Sequence, residues 1–242
     1  MAAFRGGGIL YSLPQKLLAE FIGTFAIVFT AAGVICADQY LRAAGQASPG
    51  LLGYAFAYGL VTAGVVSALG HVSGAYLNPA ITIGSWVTKR LGTLPALFYC
   101  VAQLAGATAA GYLLVAILPE AAWRPVSLGA TDLAPDFTRM HGMLLEGVAT
   151  FFVVLVYFAA AFDVEGAFRQ FGAAAVGLTV TAGVLLSQPF TGASLNPART
   201  FGPAFAAHHW INHGVYWVGP LFGGLLGAVV FDRLFARDPL AI

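Results

Sequence analysis

The chain has 242 residues, of which 59% are hydrophobic and only 9% are charged, whereas an ordinary soluble domain carries about 25% charged residues. With a mean hydropathy of +0.83, this composition excludes a water-soluble globular protein and indicates an integral membrane protein. The 11 basic and 10 acidic side chains nearly cancel, so neither a basic surface for nucleic acid nor an acidic tail is expected.

Six apolar segments are long enough to cross the hydrocarbon core of a bilayer as helices. They are residues 17–37, 51–69, 94–118, 142–162, 171–186 and 214–231. The connecting segments place seven basic residues on one side of the membrane, namely Arg5, Lys16, Lys89, Arg90, Arg169, Arg233 and Arg237. The other side holds three, namely Arg42, Arg124 and Arg139. Because short cytoplasmic loops carry the positive excess, we predict a multi-pass protein with both termini in the cytoplasm.

Two connecting segments are too apolar for solvated loops. Residues 70–93 and 187–213 are rich in Ala, Gly and Pro. Irregular backbone at membrane depth is tolerated only where protein or a water-filled cavity satisfies its polar groups. The sequence therefore predicts two re-entrant segments that line a buried aqueous path.

An internal repeat relates these two segments. The sequence 74–80 (GAYLNPA) matches 192–198 (GASLNPA) at an offset of 118 residues, and Glu20 in the first span corresponds to Glu146 in the fourth. Each half thus holds three spans, and since three is odd, the second half must be inverted in the membrane. We expect an all-α membrane protein with six transmembrane helices plus two re-entrant half-helices. It would form one domain over residues 1–242, with repeats at about 13–118 and 140–236.

The two Asn-Pro-Ala motifs have a physical meaning of their own. They comprise Asn78, Pro79 and Ala80, and Asn196, Pro197 and Ala198. Asn favours the N-cap and Pro the first helical position, so each motif is predicted to start a half-helix. Two N-termini that meet in the membrane would repel cations. An Asn amide left free to donate would hold a passing water by its oxygen and interrupt proton relay.

The duplicated motif, with its flanks 71–74 (HVSG), 191–194 (TGAS) and 198–203 (ARTFGP), resembles the aquaporin or major intrinsic protein family. The resemblance covers about residues 17–234. It implies a passive water channel, a homotetramer in the lipid bilayer of the cell membrane, and no cofactor.

By the same resemblance, a selectivity filter falls on Tyr58, Val184, Ala193 and Arg199. The strict water channels that the chain resembles have His where Val184 stands, so we expect a wider and more apolar opening. The glycerol facilitators of the family have Asp where Thr200 follows Arg199, which favours water instead. Two functions stay open: a water channel, or a broader channel for small neutral solutes such as glycerol, ammonia and metalloid acids.

Glu20 and Glu146 are the only acidic residues well inside the spans. We expect each carboxylate to accept hydrogen bonds from backbone N–H groups of a re-entrant segment. A proton relay in an ion-coupled secondary transporter is the less favoured alternative. The chain has no nucleophile–base pair, phosphate loop or cofactor motif, and the spacing of His208, His209 and His213 does not indicate a metal site. We therefore predict a protein that is not an enzyme.

Overall fold

The computed structural model describes residues 11–163 and 171–236, and over these residues the chain is helical with irregular connections. The helices are α1 (Leu13–Ala43), α2 (Gly50–Ser73), α3 (Pro79–Val87), α4 (Thr93–Ile117), α5 (Glu120–Trp123), α6 (Arg139–Phe162), α7 (Gly172–Thr191), α8 (Pro197–Ala206) and α9 (Val215–Val230). A 3-10 segment, Arg124–Gly129, follows α5, and a π-helical turn, Phe231–Phe235, continues α9.

The predicted spans are confirmed by six helices in the described part of the chain. Helices α1, α2, α4, α6 and α7, and α9 together with its π-helical turn, are long and apolar enough to cross a membrane. The two short helices α3 and α8 begin at the Pro of each Asn-Pro-Ala motif. Of the basic residues used to orient the chain, Arg5, Arg169 and Arg237 lie outside the described residues.

The spanning helices extend further than the apolar segments. Helices α2 and α7 run to Ser73 and Thr191, inside the segments predicted to be re-entrant. Each ends where a glycine, Gly74 or Gly192, adopts a left-handed conformation with φ of 97° or 74°. The small polar residues before these glycines do not break the helix, because a hydroxyl can bond back to its own turn, as Thr191 Oγ1 does to Ser187 O at 3.1 Å.

Three helix pairs form the body of the molecule: α1 with α4, α2 with α7, and α6 with α9. In each pair a glycine permits the close approach of the two helices. A backbone carbonyl of the partner helix lies where the side chain of any other residue would be. A Cβ atom would lie 2.3 Å from Phe21 O at Gly106, 2.4 Å from Gly59 O at Gly177, and 1.9 Å from Gly147 O at Gly223. Membrane helices that pack this closely need such small residues at the contact.

The half-helices α3 and α8 lie inside this bundle, α3 against α9 and α8 against α4. Gly202 of α8 faces Ala107 O of α4, which a Cβ would approach to 2.3 Å. The outer faces of the spanning helices expose large apolar side chains such as Leu18, Leu60 and Phe222. Lipid is the solvent that suits such an exterior, so the polar groups of the re-entrant segments are left to satisfy one another in the interior.

Candidate functional site

The two Asn-Pro-Ala motifs start α3 and α8 in the same way. Asn78 and Asn196 are N-caps in extended conformation, and each side-chain carbonyl accepts a hydrogen bond from the N–H two residues ahead, Ala80 and Ala198, at 2.9 Å. Pro takes the first helical position in both, where a missing N–H costs nothing. Both N-termini are buried in the middle of the bundle.

The two N-termini meet each other. Asn78 Nδ2 donates to Leu195 O, and Asn196 Nδ2 donates to Leu77 O, both at 2.9 Å. These two bonds join residues 117 and 119 positions apart in sequence. The sequence led us to expect free Asn amide groups, but in the structure each amide is partly engaged by the opposite loop. Each NH2 has two protons, one held by the opposite loop and one left to donate elsewhere.

The loops that precede the half-helices share an unusual backbone. Glycine, Ala and Leu in each loop adopt positive φ: Gly74 97°, Ala75 49°, Leu77 53°, Gly192 74°, Ala193 50° and Leu195 55°. For Ala and Leu this conformation costs roughly 1 kcal/mol or more each. Such strain persists only where the surroundings impose it, and here two buried carboxylates do so.

Glu20 of α1 holds the first loop. Its Oε1 accepts from Ser73 Oγ at 2.6 Å and Tyr76 N at 3.0 Å, and its Oε2 accepts from Leu77 N at 2.7 Å and Gln103 Nε2 at 2.8 Å. The carboxylate is fully buried. A buried charge in the membrane interior is costly unless it is hydrogen-bonded in this way.

Glu146 of α6 holds the second loop by the corresponding bonds. Its Oε1 accepts from Thr191 Oγ1 at 2.6 Å and Ser194 N at 2.9 Å, and its Oε2 accepts from Leu195 N at 2.8 Å. With these N–H groups turned toward Glu146, the loop carbonyls are directed to the opposite side. The carbonyl oxygens of Leu77 and Leu195, which accept from the Asn amides, follow this pattern.

Arg199 lies in the first turn of α8 and is 1% exposed. Its Nη1 donates to the carbonyl of Gly129 at 2.7 Å. Its buried Nε has no hydrogen-bond partner among the described residues, so at least one of the five N–H donors of the guanidinium group is left without an acceptor. The burial of a whole guanidinium group with a donor to spare is costly, and such intramembrane charges usually serve function.

Tyr58, Val184 and Ala193 belong to one buried cluster, together with Leu77 and Leu195. The Tyr58 hydroxyl donates to Ser194 O at 3.0 Å, so it is already engaged by the second loop. Val184 and Ala193 offer only apolar side chains. The structure thus brings these three residues close to the N-termini of the half-helices.

A narrow cavity borders the two Asn residues of the motifs. Its lining includes Tyr58, Val66, Asn78, Val176 and Asn196. Val184, Ala193 and Arg199 do not line it.

The segment before α6 is a part of the site that sequence reasoning missed. Gly129 accepts from Arg199, and Thr131 Oγ1 lies 2.9 Å from Thr200 Oγ1. Asp132 accepts from Asn212 Nδ2 at 3.0 Å, which ties the segment to the far end of the second re-entrant stretch. The available signal was the length of the connection between α4 and α6, because long connections in compact domains usually have a function.

The comparisons with known proteins agree with this geometry. The sequence model of the major intrinsic protein family matches residues 10–231. Aquaporin TIP4-4 of Zea mays is 43% identical over 223 residues, which cover 91% of this chain and 86% of that protein. Aquaporin-4 of Mus musculus is 33% identical over 242 residues, 98% of this chain and 72% of that protein.

A solved structure shows the same fold. The X-ray structure of the aquaglyceroporin from Plasmodium falciparum matches with a TM-score of 0.80 at 21% identity, covering 92% of this chain and 97% of that one. The predicted aquaporin fold and the prediction of a channel rather than an enzyme are both confirmed. The chain therefore belongs to the major intrinsic protein family of membrane channels.

Proposed function

We propose that the chain is a passive water channel that excludes protons and ions. The pair of reciprocal bonds between Asn78 and Asn196 and the opposite loops carries the proposal. One amide proton of each Asn remains for a water oxygen. A water molecule held by its oxygen from two sides turns both hydrogens away from its neighbours along the path, and this interrupts proton relay.

The charge distribution supports the exclusion of cations. Two helix N-termini, each with about half a positive charge, face the same point of the path. Arg199 adds a full positive charge beyond Tyr58. Because Glu20 and Glu146 each accept three or more hydrogen bonds from fixed donors, they neither line the path as free acids nor favour an ion-coupled transporter.

In this proposal Tyr58, Val184, Ala193 and Arg199 form the selectivity filter. The broader neutral-solute channel is the second candidate function, since the side chains of Val184 and Ala193 are small and cannot form hydrogen bonds. Glu20 and Glu146 serve as supports of the two loops. Relatives that carry the name aquaporin, at up to 43% identity among those given above, favour water.

We also propose that four copies assemble in the cell membrane with both termini in the cytoplasm. The exposed apolar faces of the spanning helices, with side chains such as Phe56 and Phe222, suit either lipid or a second copy. Native mass spectrometry from detergent would give the number of subunits, and a monomer in mild detergent would contradict this assembly.

Stopped-flow light scattering on proteoliposomes tests the function. Vesicles with the protein should shrink in an impermeant osmolyte much faster than empty vesicles, at a rate proportional to the osmotic gradient and independent of proton or sodium gradients. A pH-sensitive dye inside the vesicles should report no added proton flux. Uptake that saturates and follows an ion gradient would favour the transporter, and fast re-swelling in glycerol would favour the broader channel.

A further inference from the structure

The two half-helices end in the same way. One residue beyond the C-cap of α3, Lys89 adopts a left-handed φ of 60°, and His208 does so at the same point after α8, with a φ of 55°. The backbone N–H of the next residue, Arg90 or His209, donates to a carbonyl of its own half-helix, at 2.8 Å in the first half and 2.9 Å in the second. Arg90 and His209 are therefore equivalent positions of the internal repeat.

At both positions the side chain pairs with an aspartate from a distant part of the chain. Arg90 Nη2 lies 2.7 Å from Asp232 Oδ1, in the π-helical turn after α9. His209 Nε2 lies 3.2 Å from Asp132 Oδ2, in the segment before α6. Each half-helix is thus anchored beyond its C-terminus by a basic side chain and a carboxylate. The two anchors differ in charge, because arginine is always charged whereas histidine changes its charge between about pH 5 and pH 8.

The anchor of the second half is connected to Arg199. The other carboxylate oxygen of Asp132 accepts from Asn212 Nδ2 at 3.0 Å, so the aspartate is bound twice to the connection that follows α8. Three residues before Asp132, the carbonyl of Gly129 accepts from Arg199 Nη1 at 2.7 Å. The pair of His209 and Asp132 therefore fixes the short segment that holds the guanidinium group.

We propose that His209 is a positioning residue for Arg199, and that protonation of His209 raises the water permeability of the channel by strengthening its contact with Asp132. This inference rests on the proposed water-channel function. A hydrogen bond between two charged groups is stronger than one with a neutral donor. The segment that carries the Gly129 carbonyl is therefore held more firmly when His209 is charged.

The direction of the effect follows from what Arg199 would do without this support. Its side chain is buried, and a buried donor that loses its acceptor does not stay unpaired. A guanidinium group released from Gly129 would bond to the carbonyls of the re-entrant loops instead. There it would compete with permeating water, so a weaker anchor should lower the permeability.

The elements around His209 carry other charged or titratable groups. They are Asp132 and Asp136 in the segment before α6, Arg139 and His141 in the first turn of α6, Arg199 in α8, Tyr216 in α9, and His208 and His213 on the same connection. In the part of the chain that the structure describes, only Asp132 lies within hydrogen-bonding distance of the His209 ring. The other histidines remain in the His209 variants, so a difference from the wild type reports His209.

His209→Arg gives the second half the anchor of the first. In proteoliposomes with equal pH on both sides, the water permeability of the wild type should rise by about twofold to fivefold from about pH 8 to about pH 5. This is the factor for an ion pair whose side chains are 19% and 35% exposed. His209→Arg should keep the high permeability at both pH values, and His209→Gln, which cannot be charged, should keep the low one.

His208→Asn is the matched control. His208 is exposed and precedes His209 directly, and asparagine tolerates the left-handed backbone at this position. This variant should keep the pH dependence of the wild type. Asp132→Asn removes the carboxylate and should abolish the pH dependence, so it serves as a further variant should the His209 variants insert poorly.

The outcomes separate the inference from the function on which it rests. A wild type whose water permeability is unchanged or falls on acidification would overturn the inference, as would a His209→Arg or Asp132→Asn variant with the pH dependence of the wild type. Loss of the pH dependence in His208→Asn would show that the anchor is not its source and would also overturn the inference. A wild type without water flux above empty vesicles at either pH would overturn both the inference and the proposed function.

Discussion

Asn78 and Asn196 each donate an amide proton to the loop that precedes the other's helix, at the same distance of 2.9 Å. The two halves of the chain are thus joined at the point where a permeating molecule must pass. The same two side chains also cap their own helices. One residue type therefore serves three tasks at each position: it starts the helix, fixes the facing loop and offers a donor to water.

Asn78→Asp should separate these tasks. Aspartate keeps the cap to Ala80 N but cannot donate to Leu195 O, and it adds a negative charge where two helix N-termini supply a positive field. We expect lower water permeability and a measurable leak of sodium or protons in proteoliposomes. Asn78→Ala, which loses the donor without adding charge, should lower water permeability without a cation leak. Unchanged cation exclusion in Asn78→Asp would contradict the electrostatic part of the proposed function.

Arg199→Val should raise the permeability of the channel to protons or cations. The substitution removes a buried positive charge and the bond to Gly129 O, and valine is smaller, so both the charge barrier and the steric barrier decrease. Dye-based proton flux in proteoliposomes measures the effect. Arg124→Val is the control, because the Arg124 side chain is 62% exposed and its ion pair with Glu120 is a contact of little energetic value. Equal proton flux in Arg199→Val and the wild type would remove Arg199 from the filter.

Glu20→Gln and Glu146→Gln should each destabilise the protein strongly. A carboxylate accepts from several donors at once, whereas a Gln side chain presents an NH2 group to some of them and leaves backbone N–H groups such as those of Leu77 and Leu195 unpaired. Each buried donor without a partner costs about 1–3 kcal/mol. In detergent, the apparent melting temperature should fall by several degrees, at roughly 2–4 °C for each kcal/mol.

Glu120→Gln provides the comparison for these two variants, since the Glu120 side chain is 69% exposed. Its apparent melting temperature should equal that of the wild type. A Glu20→Gln protein as stable as Glu120→Gln would show that the carboxylate is not needed to hold the first loop.

The fold could be predicted from the sequence because lipid imposes strong rules on it. Apolar length alone identifies the six spans, and the repeated motif identifies the two half-helices. Helix ends were less predictable. Helix α1 begins at Leu13 and ends at Ala43, beyond both ends of the apolar segment 17–37, since polar residues such as Gln15 and Arg42 extend a helix without adding to its hydrophobic length.

The site was predictable only where its contacts are local or repeated. The caps of Asn78 and Asn196 span two residues and follow from helix chemistry. The bond from Arg199 to Gly129 joins residues 70 positions apart, and Gly129 has a φ of 68° within a run of three left-handed residues that begins at Ser127. Neither the pairing nor this backbone conformation has a periodic sequence signal, so only the folded chain reveals them.

His213 should make stability depend on pH. It lies outside the spanning helices, its Nε2 accepts from Trp217 Nε1 at 3.0 Å, and its ring packs 4.7 Å from that of Trp210. Burial lowers the pKa of His213 from its ordinary value, which is about 6.5. Its contribution to stability is therefore complete above about pH 6.5 and is lost as the pH falls through the lower pKa of the folded state.

His213→Gln keeps an acceptor for Trp217 and cannot titrate in this range. On acidification, the wild type should lose more thermal stability than His213→Gln. Both proteins contain the nearby pair of His209 and Asp132, which lie 3.2 Å apart, so the difference between them reports His213 alone. Parallel curves for the two proteins below about pH 6.5 would show that His213 titrates alike in the folded and unfolded states.

The close helix crossings should tolerate no side chain. Gly223→Ala would place a Cβ 1.9 Å from Gly147 O at the crossing of α6 and α9, and Gly106→Ala would place one 2.3 Å from Phe21 O at the crossing of α1 and α4. Both atoms met are backbone, so the helices must separate, and we expect a loss of about 1–3 kcal/mol or more. Gly64→Ala in α2, with nothing within 4 Å, should instead gain up to about 1 kcal/mol of helix propensity. Thermal unfolding in detergent should therefore rank the variants with Gly64→Ala highest, and equal melting temperatures would mean that these crossings adjust at little cost.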